Sequence, residues 1–250
     1  MNTSPSRPGL RAVTVSQVAG NQWHAVRNDR TIGRGYASRR LDGRTFLSID
    51  TWQDAVFDQL AAVMLANQPE PVYTVVDEAD RELAAGWQRA GFAIWRRESE
   101  YVVPGRLPAA VPGGVAIAAA DEAPLRELDR AIRAEVEAGP GWHTMPAEVL
   151  PWQGGTRPLD PARYTVAIRG GRYVGMIRLA THTRRPRIGL VAVLAAERRH
   201  GIARALLGHA LRDTAEATAE VDETNTAATA LFDDIGRRTG RSLELISGRA

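Results

Sequence analysis

The chain has 250 residues, with 32 basic against 29 acidic side chains for a formal charge of +3, and no cysteine. That length buries one large core or two modest ones. The missing cysteine excludes disulfides, thiolate metal sites and a cysteine nucleophile, and it fits a cytoplasmic location. No run is apolar over the roughly 18–20 residues that a membrane span needs. Every basic side chain is arginine, and the arginines come as scattered pairs (Arg39-Arg40, Arg96-Arg97, Arg184-Arg185, Arg237-Arg238). A nucleic-acid binder gathers such charge on one face, so neither membrane nor nucleic acid is an expected partner. The five histidines are dispersed, without the paired spacing of a metal site.

Residues 1–9 are polar and read as a flexible tail. Strands are expected at Ala12–Val18, at Trp23–Arg27 and at Thr31–Tyr36, the last two joined over Asn28-Asp29. Arg44–Ile49 is a further strand. Gln53–Asn67 reads as a helix because Val56, Leu60, Val63 and Met64 fall on one side. Pro71–Val76 is a strand, and Glu78–Ala90 a helix stopped by Gly91. Phe92–Val103 closes a first domain spanning residues 10–103.

Pro104–Gly114 holds three prolines and three glycines and reads as a linker. A second domain, 115–250, follows. Ala120–Glu137 is a helix with Leu125, Leu128 and Ile132 along one face, broken at Gly139-Pro140-Gly141, and Met145–Leu150 starts another. Tyr164–Ile168 and Tyr173–Leu179 form a hairpin over Gly170-Gly171. Ile188–Val193 is the next strand. It feeds a polar turn, Arg198-Arg199-His200-Gly201-Ile202-Ala203, and a helix with Leu206, Leu207, Ala210 and Leu211 on one face. Thr218–Val221, Thr226–Ile235 and Leu243–Ile246 are strand, helix and strand.

A short turn into a helix start points backbone N–H groups at one spot and suits a diphosphate. Gly201 and Ala203 keep bulk away, and the arginines add fixed charge. The same residues would also serve an ordinary strand–turn–helix. The halves repeat as well. Arg27–Gly33 aligns with Arg169–Gly175, then Val76-Asp77-Glu78 with Val221-Asp222-Glu223, with Asp80 opposite Asn225, Trp87 opposite Phe232 and Gly91 opposite Gly236. In the first half Val56 and Asp58 stand where Gly201 and Ala203 stand in the second, so that half has no phosphate turn and an acid that repels anions.

Hairpin, strand, Arg-x-x-Gly-x-Ala turn, helix, strand, helix and strand, with Asn225-Thr226-Ala227-Ala228 opening the last helix, resembles the GCN5-related N-acetyltransferases, the GNAT superfamily. The second half resembles a nearly complete copy and the first a truncated, degenerate one. The resemblance implies an α/β (α+β) chain of two acetyltransferase-like domains in tandem, each a mixed, mostly antiparallel sheet flanked by helices. It implies acetyl-CoA as co-substrate, no metal, and transfer of the acetyl group to a primary amine of a small molecule by direct attack. Val191, Ala192 and Val193 would lie along the pantetheine arm. Arg198, Arg199, His200, Gly201, Ile202, Ala203 and Arg204 would wrap the pyrophosphate, and Asn225 would contact the cofactor, cap its helix, or both.

Two departures stand out. Phe232 occupies a position where the family often has a tyrosine that protonates the leaving thiolate, and Gly189, Leu190 and Ala192 stand where some members carry a strand glutamate. Glu137 and His143 flank the helix break, in the region that overhangs the acceptor in this family, and are the candidate catalytic bases; surface placement is the plainer reading of each. His182 and Glu220 are outside candidates, and Trp142 and Trp152 are candidates for the acceptor pocket, with core packing the plainer reading of both. The alternatives are a non-catalytic acyl-CoA-binding or scaffolding protein and an enzyme acting on a protein or peptide amine. The first half would complete the acceptor cleft or hold a homodimer.

Overall fold

The computed structural model describes residues 12–40, 42–69, 71–108, 110–139, 141–142, 145, 159–180 and 185–248. The chain forms two compact units, one running to Trp95 and including Leu243–Ala250, the other Arg96–Ser242.

In the first unit β1 (Thr14–Ala19), β2 (Gln22–Arg27), β3 (Arg30–Arg39) and β4 (Thr45–Asp50) form an antiparallel meander. Helix α1 (Asp54–Ala66) crosses over to β5 (Val72–Asp77), which runs parallel to β4. Helix α2 (Arg81–Arg89) and the start of β6 (Ala93–Pro104) follow. Trp23, Leu60, Met64 and Trp87 are fully buried, with Trp87 edge-on to both Phe57 and Phe92. These aromatic and aliphatic side chains make one core between α1, α2 and the sheet.

The second unit takes the rest of β6, then β7 (Val115–Ala119), α3 (Glu122–Ala138), β8 (Tyr164–Arg169), β9 (Arg172–Ala180), β10 (Arg187–Val193), α4 (Ile202–Ala210), β11 (Glu216–Asp222), α5 (Thr226–Ile235) and β12 (Arg237–Ile246), whose last residues belong to the first unit. Its sheet order is β12-β6-β11-β10-β9-β8-β7. Side chains alternate across a strand, so Val166 and Met176 pack under α3 with Leu125 and Leu128. Their neighbours Ala167 and Ile177 pack under α4 with Ile202 and Leu206. Both faces are therefore buried.

Two elements differ from expectation. β7 is a strand that the pattern misses, because Val-Ala-Ile-Ala-Ala is poor in strand formers and follows a Pro/Gly run. β12 begins at Arg237, not Leu243, since its first residues are polar and largely exposed.

The sequence repeat has structural counterparts. Asn28 and Asp29 take the same left-handed hairpin turn as Gly170 and Gly171. The β2–β3 pairing slips between Ala25 and Val26, and the β8–β9 pairing between Ala167 and Ile168, the corresponding places. Asp80 caps α2 through Leu83 N, and Asn225 caps α5 through Ala228 N. Helices α1 and α2 are tied by Asp58–Arg89, and α4 and α5 by Arg204–Asp234, the same bridge with its charges exchanged. Gly91 and Gly236 part company here. Gly91 has φ +92, whereas Gly236 is extended and admits the close carbonyls of Val102 and Phe232.

Candidate functional site

Strand β10 pairs with β9 as far as Val193, but with β11 only at Arg187–Thr218 and Ile188–Ala219. A bulge at Gly189 bends it at that point. Strand β4 in the first unit likewise pairs with β5 at only two positions, Thr45–Val72 and Phe46–Tyr73, but its pairing with β3 has no bulge. Leu194 N donates to Val174 O at 2.9 Å, so backbone alternation turns Val191 and Val193 away from β9, into the gap left by β11. Peptide groups at a sheet's interior edge with no strand opposite can pair with an extended, amide-bearing ligand.

Into this gap opens a cavity of about 280 Å³, framed by β10, the end of β11, α5 and the inner face of α3. Asp129, Ile132, Arg133 and Val136, at spacings of three and four, give α3 its cavity face. At one end of β10 a single 3-10 turn, Ala195–Glu197, leads to Arg198. Arg199 (φ 68) and Gly201 (φ 78) are both left-handed, and α4 starts at Ile202. The first amides of α4 have no intrahelical carbonyl within reach and stand at its positive end.

Among the expected cofactor residues, Val191, Ala192, Val193, Arg198, Ala203 and Asn225 line the cavity. Arg198 is already occupied. Its Nε donates to Val193 O at 3.0 Å and its Nη2 to Glu135 at 2.8 Å, and the Glu135 carboxylate also accepts from Ala195 N. Ile202 is 1% exposed and offers only its backbone. Arg199 and His200 are exposed, with His200 Nδ1 3.2 Å from Glu197 O. Arg204 is held by Asp234. Asn225 Oδ1 caps α5, which leaves its Nδ2 beside the cavity.

Glu137 is exposed on α3 and lines no part of the cavity; the acid that does so from the same turn is Glu135. His143, Trp152 and His182 lie outside the described residues. Trp142 lines the cavity, 5.4 Å from the Arg133 guanidinium, and Glu220 does so while bonded to Arg187 at 3.1 Å. Sequence reasoning missed Glu98, Asp129, Glu135 and Asp222. A signal existed for Asp129, a charged residue inside the apolar stripe of α3. None existed for Glu98, which precedes the second half altogether. Among the described residues no three His, Asp or Glu side chains gather to hold a metal, and no helix is long and apolar enough to cross a membrane.

Phe232 lines the cavity at 3% exposure, against the Tyr101 ring (centroids 5.7 Å apart). The Tyr101 hydroxyl is engaged elsewhere, donating to Asp233 at 2.8 Å and accepting from Arg238 at 3.0 Å. Burial first, then the bond to Asp233, raises this phenol above its ordinary pKa, so the folded chain holds the proton more tightly than the unfolded chain. Stability from the hydroxyl is whole below the ordinary phenol pKa of about 10 and is lost as pH rises beyond it. Tyr101→Phe should cost about 1–2 kcal/mol at neutral pH and remove that alkaline loss. Thermal melts of both chains from about pH 8 to about 11 check this; a gap that stays constant would show an unperturbed phenol.

Residues 128–236 match the model of the Acetyltransferase (GNAT) family. No curated protein sequence matches the chain. Among solved structures, a GCN5-related N-acetyltransferase from Sphaerobacter thermophilus is similar with TM-score 0.68 and 16% identity, over 93% of this chain and 82% of that one. Another, from Kribbella flavida, has TM-score 0.61 and 14% identity over 96% and 91%. A tandem GNAT protein from the clavulanic acid biosynthesis pathway has TM-score 0.58 and 16% identity over 92% and 83%. At these identities the likeness is one of fold. With the diverging strands and the turn after β10, the family match makes residues 128–236 of the second unit a GNAT-type domain.

Proposed function

We propose that the second unit transfers an acetyl group from acetyl-CoA to the amine of a small molecule by direct attack. The observation that carries this is the divergence of β10 from β11 beyond Ile188, ending at a turn with Arg199 and Gly201 left-handed. The residues fit the cofactor: the Val191 peptide groups and the Val193 N–H face the gap and can pair with an amide-bearing arm, Val193 O being held by Arg198 Nε, the turn and α4 amides suit a diphosphate, and Asn225 Nδ2 adds a donor. Bound acetyl-CoA would supply an acyl thioester, whose carbonyl an amine can attack without a covalent enzyme intermediate. The protein's part is then positioning, exclusion of water by the apolar wall of Met176, Leu190 and Phe232, and a route for one proton. A cytoplasmic location goes with the proposed use of acetyl-CoA.

We read the first unit as a degenerate copy that binds no cofactor. It repeats the hairpin, bulge and caps. Its α1, however, opens with Asp54 and carries Asp58 one turn on, both bound to Arg89, where an anion site needs positive charge.

A second reading, acyl-CoA binding without catalysis, is favoured by Phe232 and by the absence of any hydroxyl or imidazole among the described lining residues. Titration with acetyl-CoA and CoA, followed by thiol release with a panel of amines, separates the two. One site of micromolar affinity with amine-dependent thiol release supports transfer. Binding without release under any amine supports the second reading, and no binding overturns both.

A further inference from the structure

We propose that the acceptor enters this cavity as a cation without a carboxylate of its own, and that Asp222, with Glu98 opposite, seats its ammonium group. This rests on the reading of the cavity as the acyl-transfer site. Five of the described lining residues are acidic and two are arginine, a formal balance of −3. Most of these acids are neutralised. Glu98 is bound to Arg96, Asp129 to Arg133, Glu135 to Arg198 and Glu220 to Arg187.

Asp222 is the exception. It is 5% exposed, and among the described residues it has no arginine partner. Its Oδ1 accepts from Thr224 N at 2.9 Å and from the Thr224 hydroxyl, while among the described residues no hydrogen bond reaches Oδ2. A carboxylate withdrawn from water without a counter-charge is costly, and a cation beside it removes the cost.

The local turn does not explain this burial. Asp77 makes the same turn in the first unit, accepting from Ala79 N at 2.8 Å, and is exposed. Asp222 is instead held opposite Glu98 in the β6–β11 register, with both acids on the cavity wall and Glu98 8% exposed. Like charges directly opposite on neighbouring strands repel. Arg96 is bound to Glu98, so the charge left uncompensated is that of Asp222; an ammonium group seated there supplies its counter-ion, whereas an acceptor carboxylate would face a like charge.

The test is calorimetry on the full chain with unbranched diamines, ω-amino acids and diols of matched length, in parallel with CoA. The expected result is binding of at least one diamine, weaker binding of the matched amino acid and none of the diol. Asp222→Asn keeps the oxygen that accepts from Thr224 and should lower diamine affinity at least about tenfold, the size of one lost charge contact. Glu98→Gln should lower it less, and Asp77→Asn not at all. CoA affinity should be unchanged in all three, which also reports that they fold. CoA binding with no diamine binding, equal diamine affinity in Asp222→Asn, or tighter binding of the amino acid overturns the proposal and leaves the acyl-transfer reading standing. Failure to bind CoA overturns that reading instead.

Discussion

Gly201→Asp should lower CoA affinity by about 100-fold while leaving the melting temperature near that of the parent chain, a loss of about 3 kcal/mol. The backbone tolerates the change. Gly201 has φ +78, but Asp is among the few residues that enter the left-handed region readily, and Arg199 already occupies it. Space is available, since an added Cβ meets only Pro112 Cγ, at 3.7 Å. What changes is charge. Gly201 precedes Ile202 as the cap of α4, so a carboxylate there lies beside the amides that would receive the diphosphate. It competes for them as an internal anion and repels the external one. Gly201→Asn carries the same shape without the charge and should keep affinity within a few-fold of the parent. Titration of the three chains with CoA decides it. Equal affinities would make the turn a structural corner, and equal losses in Asp and Asn would assign the effect to backbone rather than to charge.

The turn was legible in sequence because its chemistry is local: Gly201, Ala203 and the arginines lie within one hexapeptide. The hairpins were legible for the same reason, Asn28-Asp29 and Gly170-Gly171 being signals for left-handed turns. The cleft was not, because it is a property of pairing. Nothing in Ile188–Val193 states that β11 leaves it after two residue pairs, and the bulge at Gly189 looks like any glycine in a strand. The acids failed on distance and phase. Glu98 reaches the cavity only because β6 pairs with β11, while the choice of Glu135 over Glu137 depends on how α3 is rotated. Arg198 and Arg204 carried the expected charge at the expected positions, yet Glu135 and Asp234 hold them. Residue type fixes what a side chain can do, and its neighbours fix whether it is available to do it.

Gly105→Ala should be the most damaging single methyl group in the second unit, costing upward of about 3 kcal/mol, or a fall of roughly 6–12 °C in its melting temperature. Gly105 N donates to Ala215 O at 2.8 Å, and an added Cβ would stand 1.8 Å from Thr214 O, 2.8 Å from its carbonyl carbon and 3.1 Å from Leu211 O. Every obstacle is backbone. That backbone is pinned, since Leu211 N donates to Leu207 O, Thr214 N to Leu211 O and the Thr214 hydroxyl to Leu211 O. Gly35→Ala is the control. Its Cβ would come within 2.2 Å of Met64 Sδ, a nominally severe clash, but a thioether on three rotatable bonds moves aside, at about 1 kcal/mol. Thermal melts that rank the two the other way would show that the Leu211–Thr214 segment yields. The damage should also reach the site. The β6–β11 register runs unbroken from Pro104–Glu216, next to Gly105, to Glu98–Asp222 at the cavity. A backbone forced apart at one end of that ladder displaces the two acids at the other, so whatever Gly105→Ala retains of its fold should bind diamines less tightly than the parent, while Gly35→Ala binds them as well.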